Sequence, residues 1–124
     1  VQIKGMPTGL RGRAKEDHMT GTEKQVAWAS QIVEDGRKTI AMNLERNKKE
    51  YERTEAKCFL LWARVWKKLD DDYENALTDT KCDDAQFVID NRAKFDPEKI
   101  TALFNQICRQ ISNRPELADQ LPNV

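Results

Sequence analysis

Residues 37–70 read RKTIAMNLERNKKEYERTEAKCFLLWARVWKKLD and contain neither glycine nor proline. The absence continues to Asp96, a run of 60 residues. Sheet proteins turn about every 8–12 residues and draw on glycine and proline to do so. A run this long without either predicts an all-α protein. The apolar residues agree. Val26, Ala29, Val33, Ile40, Leu44, Tyr51, Cys58, Leu61, Val65 and Leu69 follow one another in steps of three, four and seven, which is the helical period. Trp28, Ile32, Trp62 and Trp66 widen the stripe and read as core beside their aliphatic neighbours.

Working outward, the stripe predicts one long helix over about 22–69. Thr20 is the expected cap, with Glu23 three residues on as in a capping box, and Thr22 is its rival. Val26, Val33 and Ile40 keep phase across Gly36, so the helix should pass through that glycine, bent if anything. A helix of this span is about 70 Å long, twice the roughly 35 Å breadth of a compact domain of this size. The helix must break, the molecule must be elongated, or the chain must dimerise. The weakest stretch is Glu45–Glu50, ERNKKE, which has no apolar residue and only Asn47 to favour a turn. With no glycine or proline, the reading favours a long, projecting helix.

Two to three shorter helices should pack on it. Asp70-Asp71-Asp72 closes the long apolar phase, and Ala76-Leu77 offers little to bury. Ala85, Phe87, Val88 and Ile89 mark a short helix capped by Asp79, Thr80 or Asp83, with Asn91 at its C-terminus. The last helix has the clearest signals: Asp96 as N-cap, Pro97 at the first helical position and Glu98 at the positive end of the dipole. Its stripe is Ile100, Leu103, Phe104, Ile107 and Ile111. Residues 1–19 read as a flexible basic arm with Lys4, Arg11, Arg13 and Lys15. Residues 20–113 read as one helical domain, and 114–124 as a polar tail.

The chain is 124 residues long, with 21 basic and 21 acidic side chains. Zero net charge excludes a uniformly basic coat, yet the charge is segregated. Residues 37–68 hold ten basic and four acidic residues, a net of +6, and residues 70–96 hold nine acidic and three basic, a net of −6. Arg46, Lys48, Lys49, Arg53 and Lys57 form a candidate patch for an acidic protein face or for nucleic acid. Two plainer readings compete. Interleaved glutamates could pair with the patch at i,i+4, as Glu45 with Lys49, or the acidic half could fold back on the basic one.

Chemistry is sparse. His18 is the sole histidine, and Ser30 and Ser112 are the sole serines, so no nucleophile–base–orienter set is apparent and an enzyme is not expected. Cys58, Cys82 and Cys108 are odd in number, widely spaced and without a C-x-x-C, which predicts reduced thiols in a cytoplasmic protein and no zinc. Cys58 and Cys108 flank apolar stripes and read as buried, inert packing. No cofactor or metal is expected. The longest apolar run, Cys58–Ala63, has six residues where a membrane span needs about 20. The first 20 residues lack an apolar stretch, so no secretory signal is read.

Two strings carry a resemblance. Thr20-Gly-Thr-Glu-Lys-Gln-Val-Ala-Trp-Ala29 resembles a TGTEKQ-x-x-WA opening, and Ala85-Gln-Phe-Val-Ile-Asp-Asn-Arg92 resembles an A-x-x-x-IDNR box downstream, in small bacterial and phage proteins of unassigned function. Val88 stands where those proteins would carry an aromatic residue. The resemblance implies a helical domain from mobile elements or their hosts, without an assigned activity. Asp90, Asn91 and Arg92 become candidates for a recognition corner, against a plainer role in capping. The function expected is a non-enzymatic helical interaction protein, an accessory or inhibitor acting through protein contacts, with anti-CRISPR proteins as one example of the class. The alternative is a nucleic-acid-binding accessory using the basic helix 37–68. A homodimer is compatible with either.

Overall fold

Thr22, not Thr20, starts the first helix in the computed structural model, which describes residues 19–124. The Thr22 hydroxyl accepts from the Gln25 backbone N–H at 3.1 Å, and the Gln25 side chain accepts from the Thr22 N–H at 3.0 Å. This is the expected capping chemistry moved two residues along, with Gln in place of Glu. Thr20 is used elsewhere: its N–H donates to the Asp83 carbonyl (2.6 Å) and its carbonyl accepts from the Ala85 N–H (2.8 Å). Helix α1 then runs Glu23–Thr54 and passes through Gly36. That glycine is a packing requirement. A Cβ there would lie 2.6 Å from the Phe95 carbonyl oxygen and would collide with the Tyr73 hydroxyl.

The single helix expected over 22–69 is two. Glu55 adopts a left-handed conformation (φ 58°), with its N–H donating to the Tyr51 carbonyl at 2.7 Å, and Ala56 is extended. Helix α2, Lys57–Leu77, follows at once. A connection this short makes the helices antiparallel neighbours. Two contacts clasp them. The Tyr73 hydroxyl donates to the Val33 carbonyl (2.9 Å), and the Arg37 guanidinium grips Glu74 with bonds of 2.8 and 3.2 Å. The turn therefore falls well beyond ERNKKE, which stays helical. Glu, Arg and Lys are good helix formers, so a polar stretch means an exposed helix and not a break. Part of the projecting expectation survives: from Ala41 to Trp62 only Asn47 is buried, so the hairpin tip stands clear of the core.

Helix α2 also continues past Asp70-Asp71-Asp72, and Tyr73 and Leu77 are buried. The three aspartates leave the helix intact because they sit at its edge and surface, where Lys67 and Lys68 reach Asp71 and Asp72 at 2.7 Å. A 3₁₀ turn at Thr80–Asp83 is capped by Asp79, and helix α3, Ala85–Asp90, by Asp84, which accepts from the Gln86 N–H at 3.1 Å. The expected caps for α3 were one or more residues early because the 3₁₀ turn intervenes. Arg92–Lys94 form another 3₁₀ turn, and α4 is Pro97–Asn113, with Asp96 capping as expected.

The core lies where α1, α2, α3 and α4 meet. Val33 and Ile40, Val65 and Trp66, Val88 and Ile89, and Ile100 are its centre. Trp66 stacks on Phe104 with centroids 4.7 Å apart, and Tyr73 meets Phe95 edge-on at 5.7 Å. The segment 114–124, expected as a polar tail, is built in. Pro115–Gln120 form a 3₁₀ helix and Leu121 is buried. The Arg64 guanidinium donates to the carbonyls of Ala118 (3.0 Å), Leu121 (2.9 Å) and Pro122 (3.2 Å), so one cation satisfies three backbone acceptors. The expected basic arm lies outside the described residues except for Met19, which is buried. Among the described residues no helix is long and apolar enough to cross a membrane.

Candidate functional site

The predicted basic patch sits at the hairpin tip. Arg46, Lys49 and Arg53, spaced by three and four, share one exposed helix face, with Lys48 half-buried on the flank and Lys57 exposed across the turn. Arg53 is engaged: its guanidinium donates to Glu50 at 2.6 and 3.2 Å. That hydrogen bond holds the Glu50 carboxyl below its ordinary value. Arg46, Lys48, Lys49 and Lys57 make no ion pair among the described residues, and Glu45 and Lys49, which the spacing would pair, do not. The acidic block meets the basic one through Arg37–Glu74 across the hairpin and through Lys67 and Lys68 within α2. Glu45, Glu50, Glu52 and Glu55 remain interleaved at the tip and dilute its field.

The two sequence boxes, some 60 positions apart, are brought together at the other end. Thr20 bridges to Asp83 and Ala85, and the Gln25 amide donates to the Gln86 side-chain carbonyl at 2.7 Å. The Arg92 guanidinium lies 5.5 Å from the centre of the Trp28 ring, a cation–π contact. Arg92 also donates to the Ile89 carbonyl and Asn91 to the Phe87 carbonyl, each at 2.8 Å. Asp90 is exposed and accepts from the Gln86 amide at 2.7 Å. Asn91 and Arg92 are thus largely committed to closing α3. Trp28 is not core as expected: 51% of its surface is exposed. It lies at the rim of the stripe, and only Trp66 of the three tryptophans is buried. Beside this corner Ile32, Asp35, Arg92, Ala93, Asp96 and Pro97 line a shallow cleft of about 270 Å³.

A larger apolar cleft opens between α2 and α4. It has a volume of about 330 Å³, and Ile40, Leu69, Tyr73, Phe95, Ile100 and Ile107 form its walls and floor. Leu103 stands at its edge, 39% exposed within an otherwise core-facing stripe. The charges on it are Lys68, Asp72 and Lys94. Lys68 and Asp72 are paired at 2.7 Å, and Lys94 makes no ion pair among the described residues. The stripe of α4 was legible in the sequence. Its incomplete cover was not, because the cover comes from α2, whose position depends on the turn at Glu55.

The thiols also differ from expectation. Cys58 is exposed at the start of α2, Cys108 is half-buried, and Cys82 is buried with its Sγ 3.6 Å from the Ala76 carbonyl. The stripe that placed Cys58 in the core runs past the end of the packed region. Burial pushes the Cys108 thiol above its ordinary value. Among the described residues no group of three or more histidine, cysteine or acidic side chains converges to hold a metal. No known protein family matches the chain, and neither a curated protein nor a solved structure is significantly similar to it.

Proposed function

We propose that this protein is a non-enzymatic helical interaction module that works through protein contacts, as an accessory or inhibitor. The observation that carries this reading is the uncovered part of the α4 stripe. Leu103 and the apolar cleft beside it leave part of the α4 face uncovered next to the core. An apolar cleft beside an exposed leucine offers an anchor point to a partner's side chain. The resemblance of the Thr20–Ala29 and Ala85–Arg92 boxes to small bacterial and phage proteins supports a mobile-element setting; the sparse, widely spaced cysteines support a cytoplasmic one, and anti-CRISPR proteins are one example of such accessories.

A nucleic-acid reading has one observation in its favour, the cations Arg46, Lys48, Lys49 and Lys57 at the tip, which make no ion pair among the described residues. The four glutamates among them weaken it, since phosphate binding depends on the local cationic field.

The test compares three proteins in cross-linking from a lysate of the encoding organism: wild type, Leu103→Asp, and a Lys48/Lys49/Arg53→Glu triple variant. A defined protein partner cross-linked by wild type and the triple variant, and lost with Leu103→Asp, is the expected result. DNA or RNA binding that falls steeply with salt and disappears in the triple variant would replace this reading with the nucleic-acid one.

A further inference from the structure

The turn at Glu55–Ala56 is built from residues that belong inside a helix. Among the described residues Glu55 is the one non-glycine in a left-handed conformation (φ 58°). The run around it, Glu-Arg-Thr-Glu-Ala-Lys over 52–57, holds mostly good helix formers. The start of α2 also lacks the chemistry of a helix start. Helices α1, α3 and α4 begin on side-chain caps, Thr22, Asp84 and Asp96. Helix α2 begins on Ala56, with no side-chain cap and no acidic residue in its first turn. Lys57 stands instead at the positive end of its dipole, where a cation is unfavourable.

The apolar stripe runs on without regard to the turn. Ala29, Ile40, Tyr51, Trp62 and Tyr73 are each eleven residues apart, and so are Val33, Leu44, Glu55, Trp66 and Leu77, of which only Glu55 is charged. Eleven residues make three turns of a nearly straight α-helix. A helix continued through Glu55 would carry one unbroken stripe from α1 into α2, over about 80 Å from Glu23 to Leu77. Such a helix cannot fold back on itself. The surface with a demonstrated fit to α1 is the chain after the turn, where Tyr73 holds Val33 and Arg37 holds Glu74. A second copy carries that same surface. Short, strained hinges favour exchange of this kind.

We propose that the hairpin opens at Glu55–Ala56 into one continuous helix, and that two copies close by exchange, α1 of each packing on α2, α3 and α4 of the other. No new interface is required. Every contact of α1 is remade with identical residues, and so is the bridge of Thr20 to Asp83 and Ala85. The α4 cleft is rebuilt by the same side chains in each half. Two left-handed residues are relieved per dimer, against the entropy of joining two chains, so concentration decides the balance. From Ala41 to Trp62 only Asn47 is buried, so little packing resists opening at the tip.

The test refolds the full chain from denaturant at low and at high concentration and reads its mass by light scattering. Wild type should give a dimer at high concentration. Glu55→Gly removes the strain of the turn and weakens the continued helix, and should raise the dimer dissociation constant at least about tenfold. Glu55→Val should lower it. Glu55 is exposed, so neither substitution touches the core. A second arm uses the Arg37–Glu74 clasp. Arg37→Glu and Glu74→Arg each set like charges against one another within a chain, and the two variants together restore both pairs only by exchange. Co-refolding them should give a one-to-one heterodimer in excess of either homodimer, with a melting temperature above either variant alone. Absence of a dimer in both wild type and Glu55→Val at the highest soluble concentration would overturn the proposal. A dimer that ignores both Glu55 substitutions, with no excess of heterodimer from the charge variants, would overturn it in favour of docking between intact hairpins. Loss of the dimer with Leu103→Asp would overturn it by locating that docking at the α4 cleft.

Discussion

Gly36 carries more of this fold than its sequence context announces. It sits mid-helix, where alanine would improve helix propensity by about 1 kcal/mol. Here the added methyl meets the Phe95 backbone carbonyl and the Tyr73 hydroxyl, and a backbone oxygen cannot step aside as a flexible side chain can. Overpacking of this kind costs about 1–3 kcal/mol. Gly36→Ala should therefore lower stability, by about 1 kcal/mol or more in urea denaturation, with the sign opposite to the propensity expectation. The thiols give a second prediction at this scale. Cys58 should react first with a disulfide reagent, Cys108 more slowly and Cys82 only on unfolding. Burial raises the Cys108 value, so the native state keeps that proton where the unfolded chain releases it. The associated stability is present below the unfolded thiol value, about 8.5, and declines as pH rises above it. A Cys108→Ala variant should show a shallower alkaline decline in stability; an identical decline would refute the assignment.

Among the elements, the turn between α1 and α2 is the least predictable and the most consequential. Glu55 holds a conformation (φ 58°) that glycine or asparagine usually supplies. A left-handed non-glycine residue costs about 1–2 kcal/mol, which the packing of α2 on α1 must outweigh. Glu55→Gly should raise the melting temperature by a few degrees, corresponding to about 1 kcal/mol. A β-branched residue such as valine at the same place should lower it. Helix α4 shows the opposite case. Asp96 and Pro97 mark its start in the sequence and in the structure alike, because a cap is a contact within one turn and depends on nothing remote. Thr22 and Thr20 are the exception, where a remote contact chose between two local caps. Both can cap, and the choice went to Thr22 once Thr20 was drawn into its bridge with Asp83 and Ala85.

Across the whole molecule, charge and packing are distributed along the hairpin. The tip is thinly buried and carries the basic patch, while the core and the acidic half lie toward the other end. The C-terminal segment belongs to the packed part. Deleting residues 114–124 would strip Arg64 of three carbonyl partners and remove buried Leu121. That deletion should cost about 2–4 kcal/mol, the range for losing one buried aliphatic side chain and a charged hydrogen-bond set. A truncated chain as stable as the full one, read by thermal unfolding, would show that these contacts contribute nothing. The two surfaces offered for binding are on different parts of this body, the cleft beside α4 and the tip beyond Ala41, so their variants can be read independently.

By itself the sequence determined the all-α class, the first cap to within two residues, the start of α4 and the set of residues able to bury. Each of these rests on periodicity or on bonds within one turn of chain. Tertiary structure decided where the long stripe folds back, which of Trp28, Trp62 and Trp66 is buried, and that Leu103 is left at an open cleft. Those outcomes depend on which helix faces which. The turn at Glu55 has no glycine or proline to announce it, because its local cost is met by remote contacts such as Tyr73 with Val33 and Arg37 with Glu74. A local reading of the chain registers that cost and not the contacts that outweigh it.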